Sequence, residues 1–378
     1  MKSHTKKIAV TLLLLMILGV AIFTGTKVVE TFTANKSTVT TKTVVSQQLE
    51  RSLLERTSLD TVKLNNADKK KLSENNRTLS KRQFIGAFIG VRGNKLVYSW
   101  RNGYSNTNPN TSFNINSSIL VGSYQTVLDQ ALLLSLVDQG KIKVTDKLSE
   151  YQMKGDIFKK ITVKQLLNNE SNLYIRKSLI SNVQNPKNQS YSSSLFKQDK
   201  NSESGWVTAD SFIKRMLIAN ATSQSYENAF DQLIVNKLGL SNTRFFSSKQ
   251  AYTNDIASYD KKIINDQRVQ TKKITIKKSQ LKGNTLRMSL ADITLLLNGI
   301  EKNELFSSKY NSYFNDNIND LNSGYVDGST ITYHATISGQ TLAVKSNVKT
   351  QRTVVLITNY ADSNISLSTR LSELYRIL

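Results

Sequence analysis

The stretch Ser123-Tyr124-Gln125-Thr126-Val127-Leu128-Asp129-Gln130-Ala131-Leu132-Leu133-Leu134-Ser135-Leu136-Val137-Asp138-Gln139-Gly140 is apolar from Val127 to Val137 except at Asp129, Gln130 and Ser135, and it closes on a glycine. A helix that is apolar all round, rather than along one stripe, is buried on every side. A glycine just past its last turn suits the left-handed residue that stops a helix. This reads as the central helix of a sizeable core. Upstream, Phe84 to Val91 and Lys95 to Trp100 are strand-like and flank the turn Arg92-Gly93-Asn94, which predicts a hairpin. Downstream, past a connector with Asp146 and Tyr151, Ile161 to Leu167, Ala209 to Asn220, Tyr226 to Leu238 and Ser289 to Ile300 read as helices, the last with Ser289 as N-cap. Two strand-like runs, Gln340 to Lys345 and Arg352 to Thr358, precede a final helix from Ser366 to Leu378. Strands at both ends of a helical middle predict an α+β fold: an antiparallel β-sheet flanked by helices, closed by the two ends of the domain, with an inserted all-helical subdomain.

The 378 residues suffice for one large domain plus an anchor and a stalk, and 39% hydrophobic against 21% charged residues predicts folding rather than disorder. There is no cysteine, which excludes disulfides, thiolate metal sites, a cysteine nucleophile and lipidation through cysteine. With two histidines, His4 and His334, an all-histidine metal site is excluded as well. No cofactor is expected. Lysine and arginine number 51 against 28 acidic residues, a net charge of +23 that favours polyanionic partners. No helix-turn-helix, RNP, zinc-finger or basic-zipper pattern points to nucleic acid, and the basic residues are spread along the chain.

Lys2, His4, Lys6 and Lys7 form a basic flank at 1–7, and an apolar run from Ile8 to Phe23, followed by Thr24, Gly25 and Thr26, completes a transmembrane signal anchor at 8–26. It lacks an Ala-x-Ala end, so an uncleaved anchor is expected. The basic flank then stays in the cytoplasm and the rest of the chain lies outside, as on a Gram-positive-type cell membrane. Residues 27–82, rich in Thr, Ser, Asn, Lys and Gln, read as a polar stalk, which puts the folded domain at 83–378. No internal repeat is present.

From Phe84 to Leu378 the chain resembles the serine β-lactamase and penicillin-binding-protein superfamily, close to the class C type. The resemblance is carried by Phe113-Asn114-Ile115, Leu136 to Lys141, Thr162 to Leu167, Ser225-Tyr226-Glu227, Leu238 to Thr243, Leu286 to Asp292, His334 and Val354 to Asn359, in that order. It implies three motifs. The first is Ser-x-x-Lys, in which residues at i and i+3 share a helix face and the lysine takes the serine's proton. Counting back from Gly140 places the serine at Ser123, with Thr126 where the lysine belongs; counting forward from Phe113 places it at Ser117, with Leu120 in the lysine's position. No lysine occurs between Lys95 and Lys141, so neither register supplies the base. Ser3 to Lys6, Ser194 to Lys197, Ser211 to Lys214, Ser279 to Lys282 and Ser346 to Lys349 also match the spacing, as a lysine-rich chain produces by accident. The second motif, Tyr-x-Asn, falls on Trp206-Val207-Thr208, where Trp206 has no hydroxyl and Thr208 no carboxamide. The third, a strand bearing Lys or His, a small residue and Gly, falls on His334-Ala335-Thr336, with Thr336 in the glycine's place and Gly339 as a later match. His334 is read as an anion ligand or base, or equally as a strand residue without a role.

The N-terminal segment and the resemblance together predict a membrane-anchored, extracytoplasmic, non-catalytic relative with vestigial positions Ser123, Trp206, Thr208, His334 and Thr336. It is expected to bind cell-wall peptidoglycan or anionic wall polymers and to touch the cytoplasmic membrane through its N-terminal helix. The alternative is an active serine hydrolase of wall components, of D-Ala carboxypeptidase or esterase type, working through Ser123 with a base such as His334. A scaffold that binds a protein partner is the third reading.

Overall fold

Strands β1 (Gly86–Arg92) and β2 (Lys95–Asn102) form the expected hairpin. β1 is buried from Gly86 to Val91, and a strand apolar on both faces needs cover on both. Side chains alternate between the faces: Ala87 and Ile89 enter the larger core, whereas Phe88 enters a smaller one with Tyr98. The far end of the chain supplies β3 (Gly324–Asp327), β4 (Thr330–Ile337), β5 (Gln340–Asn347) and β6 (Arg352–Thr358). The sheet is antiparallel throughout, in the order β3-β4-β5-β6-β1-β2, so the two ends of the domain meet at the β6–β1 pair.

The structure is a computed structural model that describes residues 64–378 apart from 93–94, 184, 199–204, 251, 265–266, 320–323, 348 and 361–365. The expected basic flank at 1–7, the anchor at 8–26 and the stalk as far as residue 63 lie outside the described residues. Among the described residues no helix is long and apolar enough to cross a membrane.

The boundary at residue 83 needs correction. Helix α1 (Asn66–Lys81) occupies the end of the expected stalk; Asn65 caps it by accepting from the Asp68 amide. Leu79 is fully buried in the smaller core, Leu64 and Leu72 pack against the same cluster, and Arg370 donates to Asn75 at 3.3 Å. The partner is the last helix of the chain, α5 (Leu367–Ile377), which buries Leu371, Leu374 and Ile377. The folded domain therefore begins by residue 64.

Between β2 and β3 the chain forms α2 (Tyr124–Asp138), the short helix Val163–Leu167, α3 (Asp210–Thr222), the turn of helix Tyr226–Phe230 and α4 (Leu290–Glu301). Short strands thread the same insert. Trp206–Thr208, Tyr174–Arg176 and Phe196–Lys197 form one small sheet; Arg244–Phe245, Leu286–Ser289 and Ser118–Leu120 form another. In α2 every residue is buried except Thr126 and Asp138, and Gly140 follows at φ +72°. Ser289 caps α4 as expected, accepting from the Asp292 amide at 3.1 Å.

α4 ends on Glu301, whose carboxylate accepts a 3.0 Å hydrogen bond from Ser346 on β5. Burial raises its pKa to about 7, against the help of Ser346 and Thr353. Because the folded value lies above the unfolded one, the charged carboxylate opposes folding. That cost is absent below the ordinary glutamate range, grows as pH rises and is complete above about pH 7. Glu301→Gln keeps an acceptor for Ser346. In urea titrations it is expected to gain on the order of 2–3 kcal/mol relative to the parent at pH 8 and close to nothing at pH 4.

Candidate active site

The strand Ser118–Leu120 turns into α2 through Val121 and Gly122. Gly122 has φ +58°, and a Cβ there would meet the Ala335 Cβ of β4 at 3.3 Å, so a side chain at this turn would be both strained and crowded. The turn presses the head of α2 against β4. Ser123 sits at the N-cap with helical angles and makes no side-chain cap bond. Its Oγ instead accepts a 3.0 Å hydrogen bond from the Tyr333 hydroxyl on β4. Tyr333 is fully buried and meets the Tyr124 ring edge-on at 5.2 Å. Ser123 and Thr126 are both half-buried while Tyr124, Gln125 and Val127 are enclosed, so the two motif positions share the accessible face of the first turn.

Of the two serine registers, the structure favours Ser123. Ser117 is buried and its Oγ is occupied by the Asn114 amide at 2.9 Å in a local turn. Thr126 stands one helical turn from Ser123, its amide bonded to the Ser123 carbonyl at 3.0 Å, where it presents a hydroxyl and a methyl in place of an ammonium. The Ser211 to Lys214 match is no substitute: Lys214 is fully buried in α3 and donates to Asn169 at 2.8 Å.

His334 lies on the other side of the sheet. Tyr333, Ala335 and Ile337 face Ser123 and Gly122, as the Tyr333 bond and the Gly122 contacts require. Strand alternation sends His334 and Thr336 the opposite way. His334 Nε2 stands 3.3 Å from Ser368 Oγ at the start of α5, and burial lowers its pKa, which leaves the ring neutral at pH 7. Thr336 is exposed and its hydroxyl bonds that of Thr341 across the strands at 2.9 Å. The reading of His334 as a base for Ser123 is corrected accordingly: Tyr333, and not His334, holds the inward position on β4. Gly339, with Ser338, has positive φ and forms the β4–β5 hairpin turn, so it does not line the strand.

Trp206 is in the small three-stranded sheet, where the Lys197 ammonium at 4.4 Å and the Arg176 guanidinium at 5.2 Å lie over its ring. It serves as a platform for cations. Thr208, on the same strand, is exposed.

Directly beneath the head of α2 is a buried polar network that the motifs do not include. Gln125 accepts from the Leu286 amide at 2.9 Å and donates to Tyr226 Oη at 3.3 Å. Tyr226 donates to Asp129 Oδ1 through a short hydrogen bond, and Asp129 Oδ2 pairs with Arg215 Nε at 2.8 Å. Arg215 continues to the Gly283 carbonyl at 2.8 Å. Burial pushes the Asp129 pKa up, and the Arg215 guanidinium and the Tyr226 hydroxyl oppose it. The sequence signal was there: Asp129 breaks an otherwise apolar helix, and a buried carboxylate demands a partner.

The chain belongs to the β-lactamase family, whose model, described as Beta-lactamase, matches residues 68–307, well over half of the sequence. Among solved structures it is similar to FmtA from Staphylococcus aureus, with TM-score 0.61 and 20% identity, covering 86% of this chain and 94% of that one. It is also similar to a D-amino acid amidase from Ochrobactrum anthropi, with TM-score 0.60 and 13% identity over 82% of this chain and 99% of that one. A penicillin-binding protein from Bacillus halodurans gives TM-score 0.58 and 11% identity over 80% and 99%. At these identities the likeness shows a shared fold. Comparison with curated protein sequences finds no match.

Proposed function

We propose that this protein is a membrane-anchored, extracytoplasmic member of the family that no longer forms an acyl-enzyme and instead binds anionic cell-envelope polymer. The observation that carries the reading is the environment of Ser123. Its i+3 neighbour is Thr126, its hydroxyl accepts a hydrogen bond from Tyr333, and His334 points to the opposite face. A serine is a weak nucleophile until a base removes its proton, and a phenol that donates to it does the reverse. The partner class follows from the +23 charge. The full chain, purified in detergent, is expected to bind purified anionic wall polymer in low salt and to release it as salt screens the exposed charges. Retention unchanged from low to high ionic strength would sink the surface-charge reading. Protease added to intact protoplasts is expected to remove the domain, in keeping with the basic flank at 1–7; a protected domain would reverse the orientation.

A second reading rests on the same 3.0 Å contact: a serine hydrolase in which a deprotonated Tyr333 oxygen takes the Ser123 proton as the serine attacks and passes it on to the leaving group. It requires ester or D-alanyl-amide hydrolysis that disappears in both Ser123→Ala and Tyr333→Phe.

A further inference from the structure

We infer that a cavity beside the small sheet Arg244–Phe245/Leu286–Ser289 is a binding site for the oxyanion, phosphate or carboxylate, of a small organic ligand held by Arg287. Arg244 and Arg287 stand directly opposite each other in that antiparallel pair, an arrangement of like charges that destabilises a ladder unless something neutralises it. Asp255 neutralises one of the two: it forms an ion pair with Arg244, whose guanidinium also covers the Tyr252 ring at 4.0 Å. The other Asp255 oxygen accepts from the Tyr252 amide at 3.3 Å.

Arg287 is left with neutral partners. Its Nη1 donates to the Ser118 carbonyl at 3.1 Å and to that of Ile256 at 3.5 Å, and Phe246 lies 5.6 Å from its centre. Its Nε is buried without a hydrogen-bond partner, the side chain is only 4% exposed, and among the described residues no carboxylate forms an ion pair with it. Burial accordingly lowers its pKa to about 10. A buried guanidinium without a counter-charge costs several kcal/mol, so folds seldom retain one without a use for it.

Arg287 lines a cavity of about 410 Å³, in the range of small-molecule sites. Lys273, exposed on the adjoining hairpin, adds a second positive charge to the wall, and Ser247 and Ser248 add hydroxyls. Ile256, Ile274 and Ile276 give an apolar side against which a short carbon body can rest. Nη1 is anchored to carbonyls, which fixes the planar group at the cavity wall. One side chain links the cavity wall to the strand that leads to Ser123: Gln340 donates to Ile256 O at 2.8 Å and accepts from the Leu120 amide at 2.8 Å.

The test is isothermal titration calorimetry of the detergent-purified full chain with sodium phosphate, glycerol 3-phosphate and sodium acetate, at fixed ionic strength. Single-site binding of at least one probe is expected, with the choice between phosphate and acetate naming the oxyanion. Arg287→Met is expected to weaken it by about tenfold to a hundredfold, the loss that goes with a charged hydrogen bond. Thr275→Trp, which adds bulk at an exposed lining residue and keeps Arg287, is expected to abolish it, and it serves if Arg287→Met does not fold. Absence of binding by all three probes, or undiminished binding in the folded variants, would overturn the proposal. Polymer retention by exposed charge is independent of these two substitutions, so the two readings fail separately.

Discussion

Arg215→Met is expected to lower the stability of the domain by about 3–5 kcal/mol at pH 8, the loss found when one partner of a buried ion pair is removed. Asp129 is fully buried and Arg215 is 1% exposed, so water cannot replace the lost guanidinium. The remaining carboxylate would keep the Tyr226 bond alone. Burial already pushes the Asp129 pKa up, and without Arg215 it rises further. With the folded value above the unfolded one, the cost is fully present at high pH and is relieved as pH falls and the carboxyl takes a proton. The deficit in urea titrations should therefore shrink towards pH 5. The double variant Asp129→Leu with Arg215→Met should recover much of the loss, because it leaves no stranded charge. A loss under about 1 kcal/mol in Arg215→Met at pH 8 would mean that the network beneath Ser123 holds little of the fold together.

Leu79→Ala is the second large effect, about 2–4 kcal/mol, as for other fully buried leucines. Leu79 shares the smaller core with Leu371, Leu374 and Ile377 of α5, with Phe84 just ahead of β1 and with Phe88 of β1. A variant as stable as the parent would return residues 64–82 to the stalk.

That helix shows where the sequence was hard to read. A helix laid on a domain surface needs one narrow apolar line, and α1 supplies it with Leu72 and Leu79, seven residues apart, amid lysines and asparagines that composition reads as a linker. By contrast α2 was legible from its all-round apolarity, α4 from its Ser289 cap and β1–β2 from their turn. The site was half legible. Ser123 and the missing lysine follow from spacing along one helix. The partner of Ser123 does not, because a strand's facing residue depends on register, and a slip of one exchanges Tyr333 for His334. Gly122 carries its meaning only once β4 is seen beside it. Arg287 and Arg244, 43 residues apart in the numbering, meet only through strand pairing.

Family chemistry needs a deprotonated serine, a proton for the leaving group and donors for the developing oxyanion, and groups that act as a unit lose most of their effect when one is absent. Thr126→Lys alone is accordingly expected to leave the protein unreactive, because Trp206 still lacks a hydroxyl and Tyr333 still occupies Ser123. The direct measurement is the intact mass of the unmodified protein after incubation with a fluorescent penicillin. The expected result is the mass of the free chain and no fluorescent band; an adduct that forms on the parent and vanishes in Ser123→Ala would show that Ser123 is an activated nucleophile and overturn the non-catalytic reading.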